Sequence, residues 1–247
     1  MAGDTPSMVR FEQRGPVAIV TLDRPERRNA VNHGALADLA AAIERAGGSR
    51  ALVVTGAGGN FCSGADLSGV EDQGFVELLG EVLRLLQHAA FPTIAAVEGA
   101  ALGAGTQLAS FCDLRVATPT STWGVPAAKL GLMVDIRTVE RLTHLVGGST
   151  ARAILMAADV LDGDRAYQLG LVQRQGGFDD AVAWAETIAA LAPLTISGHK
   201  RGVTLVEAGS GDSPSYAEAF EKAWRSDDLQ EGLAAFRERR PPQFRGT

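Results

Sequence analysis

Cysteine is scarce: the 247-residue chain has two, Cys62 and Cys112, at no paired spacing. That argues against a disulfide framework or a zinc site, and for a reduced, cytoplasmic setting. No uninterrupted apolar run is long enough to span a membrane. Met1–Arg10 lacks the apolar core of a signal peptide. Neither a membrane segment nor a secretory leader is therefore expected. A surplus of positive charge is missing too. The 23 basic residues face 29 acidic ones, a formal net charge of −6, which makes nucleic acid a poor first guess for a partner. There is no internal repeat and no low-complexity linker.

Several catalytic signatures are also absent. TGAGGNFC (Thr55 to Cys62) follows an apolar run, but Phe61 stands where a dinucleotide fingerprint needs its third glycine. Tyr167 and Tyr216 are followed four residues on by Leu171 and Phe220, so the Tyr-x-x-x-Lys pair of short-chain reductases fails. Phe61 and Ala65 flank Ser63 where a nucleophile elbow needs glycines. His33, His88, His144 and His199 are isolated from one another and read as ordinary surface or core histidines.

What is present is an alternation of strands and helices. With 46% hydrophobic residues, the chain is long enough for a large core, and an α/β protein of this length fits in one domain. VAIVTL (Val17 to Leu22), ALVVT (Ala51 to Thr55), TIAAV (Thr93 to Val97) and LRVA (Leu114 to Ala117) read as strands. Leu36, Leu39, Ala40 and Ile43 recur at helical spacing, as do Phe75, Leu78, Leu79, Val82, Leu83 and Leu86. This alternation predicts parallel pairing with right-handed crossovers. Beyond Ile136 the pattern is almost wholly helical: Val139, Leu142 and Val146 mark one helix, Ala181, Trp184, Ala185 and Ile188 another, and Tyr216 to Arg240 a long helical stretch. The α/β core is expected over residues 1–195 and a helical C-terminal region over 196–247.

Two turns rich in small residues stand out. FCSGADL (Phe61 to Leu67) follows one strand, and GAALGAGTQLASFCD (Gly99 to Asp113) follows the next and runs into a helix near Gly105. Small residues let the backbone approach a ligand closely, and a helix start offers free N–H groups and a favourable dipole. Either turn alone is simply a tight turn. Two amides converging from both would polarise a carbonyl and stabilise its enolate.

On these turns, with RPERRNA (Arg24 to Ala30), AAVEGAALGAG, CDLRV, KLGL and the tail AFRERRPPQF, the chain resembles the crotonase family, the enoyl-CoA hydratase/isomerase group, over nearly its whole length. The resemblance implies a spiral of ββα units, with a helical C-terminal region used for trimer contacts and a hexamer built as a dimer of trimers. It implies a coenzyme A thioester as ligand, with no further cofactor and no metal. The thioester carbonyl would sit between the backbone N–H groups of Ala65 and Ala104. Coenzyme A would lie near Arg27, Arg28, Ser63, Asp66 and Leu67, with Phe220, Phe236 and Arg239 added from a neighbouring subunit.

The chain departs from the family pattern where hydratases carry two glutamates. Those positions are Gln107 and Ala127 here. Hydration needs one group to deprotonate water and one to protonate the α-carbon. Gln107 can hold a water but cannot take its proton, and Ala127 can do neither. Asp135, closing KLGLMVD, matches in position an aspartate of family dienoyl-CoA isomerases, and is equally placed to cap the helix that IRTVERL begins. Lys129 reads as a solvated residue. The narrower resemblance is to mycobacterial members that lack the glutamates, proposed to carry long-chain acyl-CoA toward mycolic-acid synthesis, with fatty-acid synthase or acyl-activating enzymes as delivery partners. Two readings stay open: an acyl-CoA binding and delivery protein, or a weak hydratase or an isomerase working through Asp135. A purely structural oligomer would leave the two turns idle.

Overall fold

The computed structural model describes residues 7–66, 73–210 and 213–247. Leu67, one of the residues expected near coenzyme A, lies outside them. The chain opens with a hairpin, β1 (Val9–Arg14) and β2 (Val17–Leu22), followed by α1 (His33–Arg45), β3 (Ala51–Gly56), α2 (Gln73–His88) and β4 (Thr93–Val97). Then come β5 (Ala100–Leu102), α3 (Ala104–Phe111), β6 (Leu114–Ala117), β7 (Thr122–Gly124) and α4 (Ile136–Met156). The remainder is β8 (Val160–Asp162), α5 (Gly163–Gln168), β9 (Arg174–Gln175), α6 (Phe178–Ala189), α7 (Pro193–Glu207), α8 (Pro214–Trp224) and α9 (Asp227–Glu238).

The main sheet has the order β1-β2-β3-β4-β6-β9, parallel throughout except for the antiparallel β1–β2 hairpin. Alternate side chains of one strand enter opposite layers. Ala18, Val20 and Leu22 join the core formed with α1, α2 and α3, whereas Val17 and Ile19 face Ala181, Val182 and Ala185 of α6. Burial on both faces is why β3 and β4 are continuous apolar runs rather than alternating ones. A second sheet, β5-β7-β8, is short.

One expectation needs correction. The helical stretch from Tyr216 to Arg240 is two helices. The break falls at Arg225–Ser226, where Ser226 Oγ accepts from Leu229 N and starts α9 afresh. A strand outside those expected, β1, pairs antiparallel with β2, because Gly15 at φ +56 turns the chain back at once. Among the described residues no single helix is long and apolar enough to cross a membrane.

Candidate functional site

The segment from Cys62 to Asp66 threads between β5 and the start of α1. On one side Cys62 N donates to Ala100 O (2.8 Å) and Cys62 O accepts from Leu102 N (3.0 Å). On the other, Val31 N donates to Gly64 O (2.9 Å) and Asp66 N to Val31 O (2.8 Å). A trans peptide holds its C=O and N–H on opposite edges. Since Gly64 C=O points at Val31, Ala65 N–H points the other way, toward the β5 side. Ala104 is the first residue of α3, so its N–H faces out of the helix start. Among the described residues, neither N–H donates to a backbone carbonyl.

Two glycines make the approach of these turns possible. Gly103, at φ +53, caps α3, and a Cβ on it would sit 3.7 Å from Gly64 Cα. A Cβ on Gly105 would fall 2.1 Å from Cys62 O, so the first turn of α3 rests directly on the other segment. The far end of α3 is also held. Arg115 Nη1 donates to Cys112 O (2.7 Å), Ala109 O and Ser110 O, and Arg141 Nε donates to Ser110 O (2.7 Å). Guanidinium groups at a helix C-terminus complement its dipole. Burial lowers the Arg115 guanidinium to about 10, which still leaves it charged. The buried Cys62 thiol is pushed up to about 12, so it is no nucleophile at neutral pH.

Ala65 and Ala104 line one cavity of about 250 Å³ with Gln107, Ala127 and Asp135. The rest of its wall is largely apolar, including Phe75, Leu79 and Val125. Ala127 sits in a short 3₁₀ turn, Pro126–Leu130, and brings only a methyl group. Gln107 is 5% exposed. Its Nε2 donates to Thr138 Oγ1 (2.9 Å), and that hydroxyl donates to Asp135 Oδ2 (2.9 Å). Thr138 N donates to Asp135 Oδ1 (3.1 Å), so Asp135 caps α4 with both carboxylate oxygens engaged. Asp135 is thus a helix cap and a cavity residue at once.

The residues expected around coenzyme A fall into two places. Ser63 N donates to Arg28 O (3.0 Å) and Ser63 Oγ to Arg27 O (3.2 Å), with both arginine side chains exposed. Asp66 Oδ2 is ion-paired with Arg24 (3.2 Å). Phe220 instead lines a separate cavity of about 410 Å³ formed by α7, α8 and α9, while Phe236, 85% exposed, and Arg239 lie at the end of α9. Lys129 is exposed, as expected. Sequence reasoning missed Thr138. It also missed Asn29, which is buried at φ +57 and pins the arginine loop by donating to Ala57 O and Asn60 O. An asparagine inside an arginine-rich turn was the one signal for it.

A family model for enoyl-CoA hydratase/isomerase matches residues 12–247. The chain belongs to the enoyl-CoA hydratase/isomerase family. A mycobacterial relative, probable enoyl-CoA hydratase echA6 of Mycobacterium tuberculosis, is 41% identical over 243 residues, covering 97% of this chain and all of the relative. Crotonyl-CoA hydratase of Syntrophomonas wolfei is 31% identical over 253 residues, covering 95% and 96%. The solved enoyl-CoA hydratase/carnithine racemase of Magnetospirillum magneticum superposes with a TM-score of 0.91 at 28% identity, covering 98% of this chain and 97% of that one. An enoyl-CoA hydratase structure from Mycobacterium tuberculosis gives 0.85 at 35% identity over 98% and 100%. The crotonase fold is therefore shared, with its central sheet and helical C-terminal region.

Proposed function

We propose that this protein binds a fatty acyl-CoA thioester, delivers it within fatty-acid or mycolic-acid metabolism, and lacks ordinary hydratase activity. The thioester oxygen accepts from Ala65 N–H and Ala104 N–H. The coenzyme A adenine and phosphates lie near Arg27, Arg28, Ser63 and Asp66, where the two guanidinium groups suit bidentate contact with phosphate. Phe220, Phe236 and Arg239 complete the nucleotide site from a neighbouring copy in a trimer or hexamer. Coenzyme A is the ligand, no other cofactor or metal is needed, and the cytoplasm is the setting. Fatty-acid synthase or an acyl-activating enzyme is the delivery partner.

The observation that carries this reading is the Gln107–Thr138–Asp135 chain in a cavity to which position 127 brings only a methyl group. Thioester binding uses backbone amides, which side-chain replacement leaves in place. Hydration uses two proton-transfer groups, each worth about 10²–10⁴ in rate. Neither position carries one, and the nearby carboxylate is spent on capping α4. Titration of crotonyl-CoA and a long-chain acyl-CoA, with binding and hydration followed in the same sample, tests the proposal. Saturable binding with negligible turnover supports it, and a kcat within about 1–10³ s⁻¹ refutes it.

A second reading rests on Asp135 lining the same cavity: an isomerase that shuttles a proton between two carbons. If wild type isomerises an enoyl- or dienoyl-CoA and Asp135→Asn abolishes turnover without weakening binding, that reading replaces the first.

A further inference from the structure

The Gln107 amide has two ends, and Thr138 decides which of them meets the ligand. Asp135 accepts two hydrogen bonds from Thr138, one from the backbone N–H and one from the hydroxyl. A hydroxyl has one proton. Once that proton is given to Asp135 Oδ2, Thr138 Oγ1 can only accept, so the group facing it must be the Gln107 NH₂ rather than the carbonyl oxygen. The amide orientation therefore follows from the network itself. Gln107 Oε1 is left as the other prong in a cavity whose walls are mostly apolar, and among the described residues nothing donates to it.

We infer that Thr138 is a positioning residue that turns Gln107 Oε1 toward the acyl chain, making the site selective for acyl thioesters that carry a hydroxyl at C3. The inference rests on the acyl-CoA reading above. Gln107 lies three residues after Ala104 on one face of α3, about 5–6 Å away between Cβ atoms. A carbonyl held at Ala104 N–H thus places the first carbons of the chain, not its tail, beside the amide oxygen. C3 is the first carbon beyond the one bonded to the carbonyl. An unsubstituted or 2-enoyl chain fills the cavity but offers no donor, stripping water from an acceptor that then goes unpaired, and such a loss is costly. A 3-hydroxyl donates to it directly.

The test compares dissociation constants of 3-hydroxyoctanoyl-CoA, 3-oxooctanoyl-CoA, octanoyl-CoA and trans-2-octenoyl-CoA by calorimetry, taking the tighter hydroxyl enantiomer. Wild type should prefer the hydroxylated ligand by about tenfold over the others. Thr138→Ser, which keeps the hydroxyl, should retain the preference. Thr138→Val frees the amide to turn its NH₂ to the ligand, so the 3-oxo ligand, whose C3 oxygen only accepts, should then bind about as tightly as the 3-hydroxy one. Gln107→Met, which removes the amide, should bring all ratios close to one while octanoyl-CoA still binds. That persisting binding shows the variants are folded. Equal affinities in wild type, discrimination against the 3-oxo ligand that survives Thr138→Val, or a preference over octanoyl-CoA that survives Gln107→Met overturn the inference. Tight but equal binding refutes it alone, whereas absence of binding by all four ligands refutes the acyl-CoA reading and this one with it.

Discussion

Gln107 differs from a carboxylate by more than its charge, because Thr138 and Asp135 are arranged around an amide. A carboxylate placed at position 107 would meet Thr138 Oγ1, whose only proton is directed at Asp135 Oδ2. Two carboxylates would then compete for one hydroxyl, and like charges held together raise each other's pKa. Hence Gln107→Glu with Ala127→Glu should gain little hydratase activity, and adding Asp135→Asn should gain more. Initial rates on crotonyl-CoA check this, and equal rates for the double and triple variants would contradict it. Asparagine is itself a good cap, so Asp135→Asn should cost little stability, while Asp135→Ala should cost about 0.5–2 kcal/mol in urea unfolding. Gln107, Ala127 and Asp135 were legible through the family resemblance, which sets each at a fixed offset from a recognisable turn. Thr138 was not. It reads as an ordinary helical threonine, and its partner lies 31 residues away on another helix.

At the scale of elements, the site depends on α3 being seated at both ends. Gly105→Ala would drive a Cβ into Cys62 O and push the helix start off the segment that carries Ala65. The expected outcome is a large loss of acyl-CoA affinity together with a lowered Tm. Gly80, inside α2, meets nothing within 4 Å where a Cβ would be added. Gly80→Ala should therefore leave binding intact and raise stability by about 0.4–1 kcal/mol, through the unfolded chain and helix propensity. If Gly105→Ala binds as wild type does, the contact between the two turns is not what builds the site. The elements were unevenly legible. β3 and β4 announce themselves as apolar runs and α2 by its periodicity. β5, β7 and β8 have three residues each, too few for any period to show, and they exist through pairing with one another. The break between α8 and α9 hid in an unbroken helical pattern, since Ser226 is common both within helices and at their starts.

Across the whole molecule, the chain beyond α9 folds back and is tied down. Asp228 accepts from Arg245 N and Gly246 N, Arg50 Nη2 donates to Phe244 O, and Glu231 pairs with Arg240 and accepts from Gln243 N. The Arg240 side chain, helped by Gln243 N–H, lowers the Glu231 carboxyl to about 2. A depressed carboxylate stabilises the fold fully above its unfolded pKa, about 4.3 for Glu. That stabilisation declines as pH falls from there through about 2. Glu231→Gln should therefore weaken the fold at neutral pH and flatten its dependence on acid between those values, as read from denaturant midpoints. The buried Cys62 and Cys112 thiols, both pushed up to about 12, should resist a thiol reagent in the native protein and react only after denaturation. The fold class and the parallel pairing of the central strands were readable from the chain. The tail was not, because its anchors are backbone groups that no side-chain pattern reports. On the proposed reading, the Ala65 and Ala104 amides hold a thioester while no side chain supplies the proton transfer that hydration requires. The most direct measurement is titration of wild type with crotonyl-CoA, with heat of binding and loss of the enoyl double bond recorded on the same sample. Saturable binding with the double bond left intact is the predicted result, and turnover at an ordinary enzyme rate would contradict it.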